Sequence, residues 1–89
     1  MYAPELETLD QLLGGDLPLT IVVQLFPTKE HFTRGVLGLL SCGDVLLLDA
    51  SGTEIPQWRW RELFEKDKVF EELQAWRLSL TSQGARKVG

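Results

Sequence analysis

The sequence predicts a single small α+β domain, and three observations carry that expectation. Apolar residues at helical spacing fill much of the first half of the 89-residue chain. The run Val45-Leu46-Leu47-Leu48, closed by turn-forming residues, reads as a buried strand. Near the other end Trp76, Leu78 and Leu80 alternate with Arg77, Ser79 and Thr81, the pattern of a strand with one face in water. With 44% apolar residues the chain can bury one core and is too short for two. Residues 1–89 are therefore read as one domain, with no internal repeat, linker or low-complexity segment.

Taken in order, residues 4–13 form a first helix. Pro4 suits its first position, Glu5 and Glu7 favour the positive end of its dipole, and Leu6, Leu9, Leu12 and Leu13 are expected on one face. Gly14-Gly15 ends it, because glycine enters the left-handed region at little cost. Residues 17–26 carry two patterns at once. Leu19, Val22, Val23 and Phe26 fit a helix, whereas Leu19, Ile21, Val23 and Leu25 fit a strand, to which Ile21-Val22-Val23 adds β-branched stiffness. Thr28 then caps a longer helix whose inner stripe is Phe32, Val36, Leu39 and Leu40, running to Gly43. Gly35 and Gly38 lie inside it, either to admit a close neighbour or as tolerated losses of helix propensity.

The strand at residues 45–48 is followed by Asp49-Ala50-Ser51-Gly52, which is turn chemistry, and Thr53-Glu54-Ile55 is expected to return as a short hairpin arm stopped by Pro56. Residues 57–75 either extend that strand through Trp58 and Trp60 or form a helix with Trp60, Leu63, Phe64, Phe70 and Leu73 inward and a break near Asp67. Their charge density and strong helix formers favour helix over much of the stretch. After the strand at 76–81, residues 82–89 are expected to be a frayed tail or one last turn.

The order helix, short helical segment, sharp turn, longer helix, glycine and apolar strand resembles the winged helix-turn-helix build. Leu39-Leu40-Ser41-Cys42-Gly43-Asp44-Val45 is similar to the stretch where the recognition helix of that family runs into its wing, and Leu78-Ser79-Leu80-Thr81-Ser82-Gln83-Gly84-Ala85-Arg86 looks like the end of a wing with its turn glycine. The resemblance implies three N-terminal helices followed by a β-hairpin with a helical insertion at residues 51–75, and it decides residues 18–26 in favour of helix. It also implies a DNA- or RNA-binding alternative, in which Lys29 and Arg34 of the recognition helix act with Arg77, Arg86 and Lys87. That helix offers few phosphate partners, and Glu30 lies among them.

Charge bears on the same choice. Residues 1–57 carry two basic against eight acidic side chains, net −6, and residues 58–89 carry seven against five, net +2. Nucleic-acid binders concentrate cations to displace counterions from phosphates, so an overall charge of −4 disfavours that partner. No run approaches the roughly 18 to 20 apolar residues that span a bilayer, and the acidic start lacks the basic character of a secretory signal. No membrane association and a cytoplasmic setting are expected, which the single cysteine, Cys42, also fits.

Catalysis is not expected, since the chain holds one His, one Cys and one Tyr. His31 and Cys42 sit on one helix about 16 Å apart at 1.5 Å per residue and form no dyad within it. His31 reads as a surface residue and Cys42 as a small buried filler at a helix end. Structural zinc needs four Cys or His ligands, so no metal or cofactor is expected. Asp10, Asp16, Asp44 and Asp49 read as solvated acids. The distinctive segment is Gln57-Trp58-Arg59-Trp60-Arg61. Tryptophan and arginine are enriched at binding hot spots, which makes Trp58, Arg59, Trp60 and Arg61 candidate contacts for a protein partner or a second copy of the chain. Alternatively, the indoles belong to the core and the arginines lie over neighbouring acids.

Overall fold

A computed structural model describes residues 4–65, 68–71 and 73–88. Helix α1 (Pro4–Leu12) leads to a two-residue strand β1 (Leu17–Pro18), helix α2 (Leu19–Val22) with a 3₁₀ turn over Val23–Leu25, and helix α3 (Lys29–Ser41). Strand β2 (Val45–Leu48), helix α4 (Gln57–Glu65), a 3₁₀ turn (Lys68–Glu71), strand β3 (Arg77–Leu80) and helix α5 (Ser82–Val88) complete the described chain. The three strands form one antiparallel sheet in the order β1-β3-β2, with Leu17 opposite Leu78 and Val45 opposite Leu80. The chain is thus a small α+β domain.

Residues 17–26 satisfy both of their patterns in turn. Leu17 and Pro18 pair with β3, and Pro18, at φ −67° and ψ 149°, hands the chain into α2. Proline is tolerated here because β1 is an edge strand. Leu19 and Val22 then point into the core. The Leu19 amide donates to the Trp76 carbonyl at 3.0 Å, which ties the helix start to the approach to β3.

Thr28 caps α3 as the sequence predicts, its hydroxyl accepting from the His31 amide at 3.1 Å. Phe32, Val36, Leu39 and Leu40 are all buried. Phe32 lies at the centre of an aromatic cluster with Phe26 edge-on at 5.9 Å, Phe70 at 5.6 Å and Phe64 at 6.1 Å between ring centroids. Gly35 faces the Phe26 ring so closely that a side chain there would displace it, whereas Gly38 faces open space. Only the first of the two glycines serves close packing.

Several expectations are corrected. In α1 the inward residues are Thr8, Leu9 and Leu12, while Leu6 and Leu13 are exposed, since the face that meets α3, α5 and β3 is narrower than four leucines require. The expected hairpin between residues 45–48 and 53–55 is reduced to a single bridge, Leu48 to Glu54, with the Ile55 amide donating to Leu47 O at 2.8 Å. The full ladder of β2 is made with β3 instead. The helix read over residues 57–75 ends at Glu65, and the break expected at Asp67 falls outside the described residues. Residues 82–88 form α5 and not a frayed tail or single turn; Thr81 opens it by accepting from the Gly84 amide at 3.1 Å. Gly84 is therefore a buried helical residue and not a turn glycine.

Candidate functional site

Helix α4 owes its position to its tryptophans and to the segment before it. The Arg59 amide donates to Pro56 O, and the Trp60 indole N–H donates to Ile55 O, both at 3.0 Å. Leu63 and Phe64 are buried against the core and Trp60 packs on it half-buried. At 100° per residue this inner face leaves Trp58 on the opposite side. Its side chain is 76% exposed, whereas Trp76 is 9% exposed. The four expected contact residues are consequently split. Trp58 and Arg61 face solvent, Trp60 packs inward, and Arg59 is half-buried between the two.

Helices α3 and α4 run antiparallel. Lys29, Glu30, Thr33 and Arg34 border Phe64 and Glu65 at one end of the groove between them, and Leu37 and Ser41 border Gln57, Trp60 and Arg61 at the other. Gln57 and Arg61 continue that groove to Trp58. The result is one continuous face, two helices wide, with the Trp58 indole on its outer rim. Its ion pairs are exposed and loose: Arg61 to Glu65 at 3.6 Å and Arg34 to Glu30 at 3.4 Å. Arg59 has no ion pair among the described residues.

The cations of the nucleic-acid alternative do not converge. Lys29 lies over the Phe70 ring with Nζ 4.9 Å from its centroid. Arg77 pairs with Asp16 at 3.6 Å. Lys87 is held by Asp44 just beyond the far end of α3, about 20 Å from Lys29 along thirteen helical residues. Arg86 has no ion pair among the described residues and sits in the last turn of α5. Helix α4 covers one flank of α3, leaving Glu30, Arg34, Gly38 and Ser41 as its open strip.

A second polar cluster was not anticipated. Asp44, expected to be solvated, is only 2% exposed. Its carboxylate accepts from Lys87 Nζ at 2.7 Å and from Gln83 Nε2 at 3.0 Å. Gln83 also donates to Cys42 O, and the Thr81 hydroxyl reaches Gly43 O at 2.7 Å and Asp44 O at 2.9 Å. The hydrogen bond to Asp44 raises the Lys87 pKa above its ordinary value. Among the described residues no buried side-chain polar atom lacks a partner, so the cluster is a structural clasp between the α3–β2 junction and α5. The one advance signal is that Gln83 and Lys87 lie four positions apart, the spacing of one helical face. Cys42, expected to be buried, is exposed at this junction because Leu39 and Leu40 take the inward positions.

Among the remaining acids, Asp49 caps its own turn. Its Oδ1 accepts from Ser51 Oγ at 2.7 Å, Ser51 N at 2.9 Å and Thr53 N at 3.0 Å, and these bonds, led by the Ser51 hydroxyl, lower its pKa. His31 is exposed, with Nδ1 2.8 Å from Thr28 Oγ1 in the cap of α3. Among the described residues no three His, Cys, Asp or Glu side chains group as a metal ion would need, and no helix is long and apolar enough to cross a membrane. Comparison with known proteins finds no matching family, no matching characterised relative and no matching solved structure.

Proposed function

We propose that this chain is a winged-helix-like domain that binds a protein partner, without catalysis and in the cytoplasm, through the outer face of α4 and the adjoining strip of α3. The order of its helices and the sheet order β1-β3-β2 support the winged-helix part of the reading. On it, α3 stands at the recognition-helix position, β2 and β3 are the wing strands, and α4 is an insertion between them. The observation that carries the binding part is Trp58, whose large apolar surface is left in water on a helix anchored by Trp60, Leu63 and Phe64. A rigidly presented tryptophan beside Arg61 has the composition of an interface hot spot.

A photo-reactive amino acid at position 58 tests the reading, with the same group at the exposed Gln24 as control. Cross-linking to a defined protein from position 58 and not from 24 supports it, and equal, diffuse labelling from both sites sinks it. The nucleic-acid alternative ranks second, because its cations do not converge: Lys29 lies over the Phe70 ring, and Arg77 and Lys87 are paired with Asp16 and Asp44. It predicts binding to DNA or RNA at low salt that weakens steeply as salt is added.

A further inference from the structure

We propose that the partner of the α3–α4 face is a second copy of this chain, in an isologous dimer whose twofold axis runs along the groove between the two helices. The inference rests on the binding role assigned to that face above and names what covers it.

A twofold along the groove sets α4 of one copy over α3 of the other while preserving each residue's level along the helices. Trp58 then meets the strip of the partner copy formed by Leu37, Gly38 and Ser41, because the Leu37 end of α3 lies level with the Gln57 end of α4 within one chain. Gly38 leaves that strip low, with nothing within 4 Å of where a side chain would begin. Toward the other end Arg34 lies level with Glu65, so each Glu65 faces the Arg34 of the opposing copy, and symmetry makes that pairing twice. Arg61 lies level with Leu37 and Ser41, where no cation opposes it.

Charge selects this face over others. The chain carries −4 overall and would repel itself through most of its surface, but Lys29, Glu30, Arg34, Arg61 and Glu65 give the groove a net charge of +1 with both signs interspersed. Area sets the expected strength. Nine residues of α4 give a contact about 14 Å long and two helices wide, well below the roughly 800 Å² per partner of a standard interface. The dimer is accordingly weak and concentration-dependent.

Sedimentation equilibrium of the full chain over a concentration series is the test, with circular dichroism confirming the fold of each variant. The expected result is a reversible monomer–dimer equilibrium that Trp58→Ala weakens about 1,000-fold, as loss of one hot-spot tryptophan from each of the two copies does. Gly38→Gln is expected to abolish it while leaving the monomer folded, because the site is open and glutamine favours helix. Arg34→Glu weakens association, and adding Glu65→Arg restores it. A chain monomeric throughout the series overturns the dimer, as does a dimer unchanged by both Trp58→Ala and Gly38→Gln. Cross-linking from position 58 to a different protein by a monomeric chain sinks this inference and leaves the proposed function standing.

Discussion

The Asp44 junction and the outer face of α4 draw on similar side chains and put them to opposite ends. At the junction a carboxylate, an amide, a hydroxyl and an ammonium group satisfy one another around a nearly inaccessible Asp44. On α4 a tryptophan stands in water beside arginines that are loosely paired or unpaired. Burying polar groups is tolerable only when each finds a partner, and the junction meets that condition within the chain. The α4 face leaves its apolar surface for something else to cover. Residues that look functional by composition are thus separated by whether the chain itself completes their contacts.

Substitutions can break that contrast, and the largest effect is expected at Gly84. A methyl group there would run into the Asp44 carbonyl and the Leu80 side chain. Gly84→Ala should cost about 3 kcal/mol in a denaturant titration, although alanine favours helix elsewhere. Asp44→Ala comes next, at about 2 kcal/mol, since it removes a charged acceptor of two hydrogen bonds. Gly38→Ala reverses the sign. With open space at the site it should stabilise by about 0.5–1 kcal/mol. If Gly38→Ala destabilises as Gly84→Ala does, the claim that α3 presents an unfilled strip is wrong. Trp58→Ala is expected to change stability by less than about 0.5 kcal/mol, and a larger loss would place its indole in the core.

The two perturbed charges predict opposite limbs of a stability–pH profile. The folded-state pKa of Lys87 is raised above its ordinary value of 10.5, so its contribution is full below that pH and lost as pH rises through the folded value. The folded-state pKa of Asp49 is lowered from 3.8, so its contribution is full above that pH and lost as pH falls through the folded value. Thermal melts of Lys87→Met should flatten the alkaline limb only, and those of Asp49→Asn the acid limb only.

What the sequence made legible was local. Thr28, the stripe from Phe32 to Leu40 and the alternation from Trp76 to Leu80 each declare an element through near neighbours, and all three are present. Residues 17–26 were ambiguous because two of them answer to a strand about sixty positions away while the rest answer to the core beneath α3. The burial of Asp44 is hidden in the sequence for the same reason, since its partners Gln83 and Lys87 lie about forty residues further on. Within the candidate site the composition of the Trp58–Arg61 segment was visible. Which indole faces water was not, because that depends on α4 docking through Trp60, Leu63 and Phe64.

The placement of β3 at the centre of the sheet bears on the order in which the chain can fold. Both other strands take their partners from Arg77–Leu80, and α5 then locks the end of α3. As the chain emerges in synthesis, β1 and β2 have no ladder until that central strand is available, and Leu17 and Leu47 wait uncovered. Sheet closure is therefore a late, long-range event, of the kind that slows folding and lengthens exposure to aggregation.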